Sequence, residues 1–490
     1  MSGPLISDPL VSGHTETIQV KDYNPAVNFI DDDAIWGLLN NNRQPSPDTV
    51  RQVLEKARRL QGLTLEEVAV LLQNQDASLD EELFAVARGI KDAIYGNRIV
   101  LFAPLYVSNY CANACSYCGF SADNHDLPRK TLSEQELIAE VETLEEMGHK
   151  RILAVYGEHP RNNARAIVDS IKTMYSVRKG KGGEIRRINV NCAPMDTEDF
   201  KLLKTAAIGT YQCFQESYHR TTYEQVHLKG RKKDFLYRLY AMHRAMEAGI
   251  DDVGIGVLFG LYDQRFELLA MLAHVQQLEQ DCGIGPHTIS FPRIEPADGS
   301  SLSERPPYVV DDATFKRLVA ITRLAVPYTG LIMSTRESAE LRRELLSLGV
   351  SQISAGSRTT PGGYNQEDDA AQFSLGDHRS IDEVVLDLVK HSHSIPSFCT
   401  GCYRKGRTGD HFIGLAKQQF IGKFCQPNAL ITFKEYLNDY ASEQTRKAGE
   451  ALIAGEALIA AELDKLSPAR RRNIEACLTR TDAGERDIYL

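Results

Sequence analysis

Short apolar runs alternate with longer amphipathic stretches from Ile99 onward, a pattern that predicts βα units assembled into a parallel sheet. Eight runs have the length and composition of strands: 99–110, 150–157, 185–192, 210–216, 252–260, 287–293, 330–335 and 350–356. Helices fill the gaps. Ser133 and Glu136 form a capping box ahead of the stripe Leu137, Ile138, Val141, Leu144 and Met147, and Gly148 stops that helix. Phe315, Leu318, Val319 and Leu324 repeat the pattern before Pro327. Eight such units are the number that closes an α/β (β/α)8 TIM-type barrel, whose chemistry sits at the C-terminal ends of the strands. Polar residues gather at those ends: Cys111, Gly157-Glu158-His159, Glu216, Arg336-Glu337, Ser354 and Ser357.

The flanks read differently. Residues 1–98 predict an N-terminal helical extension, its last helix running through Leu83, Val86, Ala87, Ile90 and Ile94 to Gly96. The barrel is assigned to 99–365, and the acidic, loop-like stretch from Gln366 to Gly376 reads as the linker to a mostly helical C-terminal domain, 366–490. That domain opens with a helix capped by Ser380 and Glu383. It also repeats Gly449-Glu-Ala-Leu-Ile-Ala at Gly455, a six-residue period that does not fit a coiled coil.

Composition narrows the class. The net charge of −10 is spread along the chain, which disfavours nucleic acid and anionic membrane as partners. No apolar run reaches a membrane span, and Met1-Ser-Gly-Pro-Leu5 lacks the basic and apolar regions of a secretory peptide. Six of the ten cysteines fall in two clusters, which points to metal in a reducing cytoplasm over a disulfide framework.

The first cluster is Cys111, Cys115 and Cys118, spaced C-x-x-x-C-x-x-C. Three thiolates hold three corners of a cubane 4Fe-4S cluster and leave one iron open, as catalysis requires. A zinc knuckle short of its fourth ligand is the alternative. The spacing resembles that of the radical S-adenosylmethionine (SAM) enzymes, in which the open iron binds S-adenosyl-L-methionine. That resemblance implies a 5′-deoxyadenosyl radical and sets Tyr117 against the adenine.

Cys399, Cys402 and Cys425 form the second cluster, C-x-x-C and then a thiol after 22 intervening residues. By itself this spacing fits zinc completed by His411, a redox dithiol, or a second cluster with an open iron. The stretches Cys399-Thr-Gly-Cys-Tyr-Arg-Lys-Gly-Arg-Thr-Gly-Asp-His-Phe412 and Cys425-Gln-Pro-Asn-Ala-Leu-Ile-Thr-Phe-Lys-Glu-Tyr-Leu437 resemble the C-terminal extension of the HydG family, tyrosine lyases that mature the active-site H-cluster of iron-iron hydrogenase. The likeness continues through Gly254-Ile-Gly-Val-Leu-Phe-Gly-Leu261, His287-Thr-Ile-Ser-Phe-Pro-Arg293, Met333-Ser-Thr-Arg-Glu337 and Ile353-Ser-Ala-Gly-Ser357, spanning roughly residues 80 to 440. The related lyase of thiamine biosynthesis (ThiH) shares the barrel motifs and lacks the second thiol set.

What the resemblance implies is specific. Cys111, Cys115 and Cys118 bind the radical-generating cluster. Gly157 and Glu158 face the cofactor's amino group, with Glu216 near its ribose or amino group or else paired with a barrel arginine. Arg336 takes the substrate carboxylate unless it pairs with Glu337 or Glu340, and Ser354 and Ser357 assist it. Cys399, Cys402 and Cys425 bind an auxiliary 4Fe-4S cluster, and His287 reaches an extra iron on it. The family pattern leaves room for free L-cysteine on that iron. L-tyrosine is cleaved to p-cresol and dehydroglycine, and the fragment becomes carbon monoxide and cyanide. A low-potential electron donor and other hydrogenase maturation proteins are the implied partners. Two rivals stay open: a 2-iminoacetate (dehydroglycine) synthase of thiamine biosynthesis, and a non-catalytic iron-sulfur carrier.

Overall fold

Strand β1 (Arg98–Ser108) is the longest in the sheet, and its length lets it close the barrel from both sides. In a computed structural model, which describes residues 18–180, 182–366, 370–455 and 468–490, the upper half of β1 pairs with β2 (Arg151–Tyr156) from Ala103 to Ser108. Its lower half pairs with β8 (Gln352–Ser354) from Val100 to Phe102. Between them run β3 (Arg187–Asn191), β4 (Tyr211–Gln212), β5 (Val253–Gly256), β6 (Thr288–Ser290) and β7 (Gly330–Met333), all parallel. Eight strands therefore close on themselves, as the alternation of runs predicts.

Most of these strands are shorter than their apolar runs because the runs continue into the rim. Past β4 and β6 the pairing survives only as single bridges, Glu216 with Val257 and Phe259 with Arg293. Pro292 has no N–H to extend β6, and its carbonyl instead accepts from Phe259 N at 2.8 Å.

A ninth strand, β9 (Ile395–Ser397), was not among the expected runs. It pairs with Arg98–Val100 at the lower edge of β1. Three residues with Pro396 in the middle carry no periodic signal, and an edge position is where a sheet tolerates proline. This strand delivers Cys399 beneath the barrel.

The N-terminal extension forms helices α1 (Asp32–Asn41), α2 (Pro47–Ala57), α3 (Leu65–Gln73) and α4 (Asp80–Tyr95). The last ends at Gly96, whose φ of 65° suits glycine alone. They pack on the barrel's outer helices: Tyr95 Oη donates to Tyr328 O at 2.5 Å, and Arg317 pairs with Asp80 at 3.0 Å.

Below the barrel lies the helix Ile421–Asp439, tied to the foot of β3 by the buried pair Arg186 and Glu435 at 2.6 Å. Helices Glu443–Gly455 and Pro468–Asp482 follow. The first carries one copy of the Gly-Glu-Ala-Leu-Ile-Ala repeat, and the second copy lies outside the described residues after Gly455. Among the described residues no helix is long and apolar enough to cross a membrane.

Candidate functional site

The loop after β1 is fixed in shape before any ligand is considered. Asn109 Oδ1 accepts from Lys130 N at 2.6 Å, and Arg129 donates to the carbonyls of Asn109, Phe120 and Asn124 at 2.9, 2.9 and 3.0 Å. On its other flank, Ser116 N donates to Val226 O and Leu228 N to Ala114 O, at 3.0 and 2.9 Å. Held in this way, Cys111, Cys115 and Cys118 line one cavity of about 230 Å³ at the C-terminal mouth of the barrel.

Two amide groups point at the sulfurs: Asn113 Nδ2 lies 3.7 Å from Cys111 Sγ, and Gln372 Nε2 lies 3.6 Å from Cys118 Sγ. N–H···S contacts of this kind tune iron-sulfur clusters. Burial pushes the Cys115 thiol up to about 12 and raises Cys118 as well, so both need a cationic partner to ionise at neutral pH. The donor set therefore fits a metal cluster. Tyr117 is buried beside them, its hydroxyl 2.8 Å from His227 Nε2.

Gly157 sits where a Cβ would come within 2.3 Å of Tyr110 O, so glycine is required for β2 to approach the thiol loop. Its carbonyl accepts from Asn162 Nδ2 at 2.7 Å. Glu158 is tied to the same loop twice, its carbonyl accepting from Ala112 N at 2.8 Å and its Oε2 from Asn113 Nδ2 at 2.7 Å.

Glu216 holds a φ of 71°, uncommon for a residue with a side chain, in the rim segment beyond β4. Its carboxylate is 2.8 Å from Lys232 Nζ and 3.8 Å from Arg238. Burial alone would raise this carboxyl, but those two cations outweigh it and hold it below its ordinary value. The alternative of an arginine partner is met only at 3.8 Å by Arg238, and Lys232, which the sequence did not suggest, lies nearer.

Arg336 also lines the cavity, stacked 3.4 Å from the ring centre of Phe373 and donating to Arg293 O at 3.3 Å. Among the described residues it has no carboxylate partner. Glu337, the rival partner, is taken by Arg293 through both oxygens, and among the described residues Glu340 is not paired with Arg336. Ser354 lines the same cavity with its buried hydroxyl unpartnered. Ser357 is equally buried and unpartnered but lies behind the wall.

The stretch expected to be a linker forms part of this wall. Gln372 accepts from Tyr106 Oη at 2.8 Å and from Gly119 N at 3.2 Å, and Phe373 backs Arg336. Residues 367–369 of that stretch lie outside the described residues.

Cys399, Cys402 and Cys425 line a second, smaller cavity of about 50 Å³ at the opposite end of the barrel. Cys402 and Cys425 are 3.9 Å apart, and Gly401 N donates to Cys399 Sγ at 3.2 Å. Burial pushes the Cys399 thiol up to about 11, whereas the hydrogen bond from Cys402 lowers Cys425. All ten cysteines are free thiols.

His287 shares this cavity, below β6, stacked 4.4 Å from Phe412 with its Nδ1 3.6 Å from Asp252. Burial lowers it to about 4, so the imidazole is neutral, the form that ligates metal. His411 does not line the cavity, which removes the fourth ligand of the zinc alternative. Nor, among the described residues, do three His, Cys, Asp or Glu side chains converge on a single ion. Thiols that each bind a different iron of a cubane need no such convergence.

The two cavities share no lining residue, yet one inward column joins them. Val100 lines the lower and Phe102, Pro104 and Tyr106 the upper, while Gln352 and Ser354 do the same on β8, as the two-residue period of a strand dictates. Lys232, Arg238, Gln372 and Phe373 in the upper cavity, and Arg98, Arg151, Arg187 and Arg407 in the lower, were absent from the expected site. Lys232 falls in an ordinary basic run, Arg238 sits in the short helix Phe235–Leu239, and the lower-cavity arginines lie at strand starts or in a loop, where surface charge is common.

The chain matches the Radical SAM superfamily over residues 105–273 and the Biotin and Thiamin Synthesis associated domain over 290–392. It is 32% identical over 337 residues to the 2-iminoacetate synthase of Escherichia coli (strain K12), covering 68% of this chain and 87% of that protein. A crystal structure of HydG, described as a maturase of the FeFe-hydrogenase, is similar with a TM-score of 0.90 and 51% identity, over 95% of this chain and 100% of that one. The maturase HydG from Carboxydothermus hydrogenoformans gives 0.80 and 41%, over 93% and 100%.

Proposed function

The chain belongs to the radical SAM tyrosine lyases of the HydG family, and on that footing we propose that it splits L-tyrosine into p-cresol and dehydroglycine, then yields carbon monoxide and cyanide for H-cluster assembly. One observation carries the second half: two thiol trios line separate cavities at opposite ends of one closed barrel. A synthase that stopped at dehydroglycine would have no use for the lower one. We assign the helical extension to 1–98, the barrel to 99–365 and the auxiliary domain to 366–490.

When bound, an iron-sulfur cluster with S-adenosyl-L-methionine supplies the electron and the 5′-deoxyadenosyl radical that begin the cleavage. Cys111, Cys115 and Cys118 hold that cluster, with Asn113 and Gln372 donating to its sulfur ligands. Tyr117, fixed by His227, faces the adenine. The backbone of Gly157 and Glu158 faces the amino group. Glu216 places a negative charge beside the cofactor while Lys232 limits it.

Arg336 takes the tyrosine carboxylate, because a planar guanidinium binds two oxygens together and this one has no carboxylate of its own. Ser354 offers its free hydroxyl beside it, and the unpartnered hydroxyl of Ser357 lies behind it as a second donor. At the other end, Cys399, Cys402 and Cys425 hold an auxiliary cluster, and the neutral imidazole of His287 suits an additional iron. L-cysteine is a candidate ligand for that iron. The barrel wall excludes water between the two ends. Free thiols throughout suit a reducing cytoplasm, and a low-potential electron donor and other maturation proteins complete the scheme.

The test is anaerobic loading with iron and sulfide, then addition of reductant, S-adenosyl-L-methionine and tyrosine, with p-cresol, carbon monoxide and cyanide as readouts. Cresol without cyanide would favour the thiamine-type synthase; absence of 5′-deoxyadenosine would favour the carrier. Arg336→Gln is expected to lower kcat/KM for tyrosine about 10- to 100-fold, mainly through KM, with iron content unchanged. Steady-state cresol release checks this, and an unaltered KM would remove Arg336 from the substrate site.

A further inference from the structure

Residues 372 and 373 are neighbours in sequence and serve two different groups in the upper cavity. Gln372 Nε2 lies 3.6 Å from Cys118 Sγ, and the ring centre of Phe373 lies 3.4 Å from the guanidinium of Arg336. The segment that carries them is pinned along its length. Gln372 N donates to Thr359 O at 3.0 Å, Gln372 O accepts from Gly119 N at 3.2 Å, and Thr359 Oγ1 donates to Phe373 O at 3.2 Å. A Cβ on Gly119 would stand 2.9 Å from Ala371 O and 3.0 Å from Gln372 O, so glycine in the thiol loop lets the segment come this close.

A thiolate sulfur only accepts hydrogen bonds, so the Gln372 amide supports it in one of its two flips alone. Tyr106 sets that flip: its hydroxyl donates to Gln372 Oε1 at 2.8 Å, which turns Nε2 toward Cys118. Tyr106 is buried and lines the same cavity as Arg336. The electrostatic neighbours of Arg336 are Tyr106, Glu216, Glu295 and Cys118, and among the described residues neither carboxylate pairs with it. Donors to the sulfurs of an iron-sulfur cluster, and positive charge beside it, stabilise its reduced form and so raise its potential.

We propose that Gln372 and Phe373 make the potential of the radical-generating cluster answer to occupancy of the tyrosine site. With the site empty, the Gln372 N–H···S bond and the charge of Arg336, held in place by Phe373, keep the cluster at a higher potential. A substrate carboxylate neutralises Arg336 and competes for the Tyr106 hydroxyl, which frees the Gln372 amide to turn from Cys118. Both changes lower the potential, so the cluster is the stronger reductant when there is a substrate to attack. This coupling rests on the tyrosine-lyase function proposed above, which puts the substrate carboxylate on Arg336.

Redox titration of the iron-loaded full-length protein, followed by electron paramagnetic resonance without S-adenosyl-L-methionine, reads the potential before any turnover. Cys399→Ala with Cys402→Ala as the background leaves the upper cluster as the one observed. Gln372→Met keeps the length of the side chain without the donor. It is expected to lower the midpoint by about 59 mV, a tenfold change in the reduced-to-oxidised ratio of a one-electron couple. Tyr106→Phe should lower it by less, since the amide remains and only its flip is no longer set. L-Tyrosine is expected to lower the potential of the background protein, and L-tyrosinamide, which has no carboxylate, to leave it unchanged.

An unchanged potential in Gln372→Met would overturn the coupling, as would no shift with L-tyrosine or an equal shift with L-tyrosinamide. Should Gln372→Met lose its iron, Tyr106→Phe decides, because it leaves every thiol and amide donor in place. Formation of p-cresol without these shifts would sink the coupling and leave the lyase function standing. The shift in Gln372→Met, in a protein that forms no p-cresol from tyrosine, would do the reverse.

Discussion

Replacing Cys115 by alanine is expected to abolish 5′-deoxyadenosine, p-cresol, carbon monoxide and cyanide together. Cys115 is the middle thiol of its trio and is 6% exposed, so no water-borne ligand can take its place without opening the loop. Two thiols leave two irons of a cubane without protein ligands, and the open position for the cofactor is no longer defined. The fold should survive. Cys115 packs with Tyr117, Val226, Leu258, Leu261 and Ile294, and removing one sulfur from that cluster costs about 1 kcal/mol, well inside the stability of a large barrel. Iron bound per chain should fall while the share belonging to the lower trio remains. Chromatographic quantification of 5′-deoxyadenosine decides the matter: a rate above about one hundredth of wild type would mean that Cys115 is not a cluster ligand.

Much of the barrel was legible because its strands are apolar and separated by well-capped helices. Ser133 and Glu136 close their capping box as expected, and the alternation along β1 sends even-numbered residues inward. What escaped was short or depended on closure. Strand β9 is three residues with a central proline, and only the lower edge of β1 gives it a role. At the site, spacing was enough to foresee that the first trio shares one loop and one cavity, whereas Cys425 joins Cys399 and Cys402 only because the helix Ile421–Asp439 brings it there. Spacing was not enough for charge partners. Which cation meets Glu216 depends on how the segment after β4 folds back, and that Glu337 turns to Arg293 and leaves Arg336 without a carboxylate is decided between rim segments 44 residues apart. The buried arginines of the lower cavity are invisible for the same reason: a strand-initial arginine ordinarily reaches solvent, and here the C-terminal helices cover it.

Alanine at both Cys399 and Cys402 is expected to leave p-cresol formation within about twofold of wild type while carbon monoxide falls below detection. The separation of the two cavities is the reason. They have no lining residue in common, and changes at distant sites without shared partners act independently. Cys399 and Cys402 are half-buried, and truncating each removes a single sulfur, about 1 kcal/mol apiece. Cys425 alone cannot hold a cluster, so the metal goes while Arg98, Arg151 and His287 stay in place around the vacated site. Dehydroglycine then accumulates or hydrolyses, and formation of glyoxylate and ammonia should rise as carbon monoxide disappears. Infrared detection of carbon monoxide beside chromatographic cresol measures both arms in one reaction. If cresol were lost along with carbon monoxide, the two ends of the barrel would be coupled through the inward column at Val100, Phe102, Gln352 and Ser354, and the division of labour between the trios would fail.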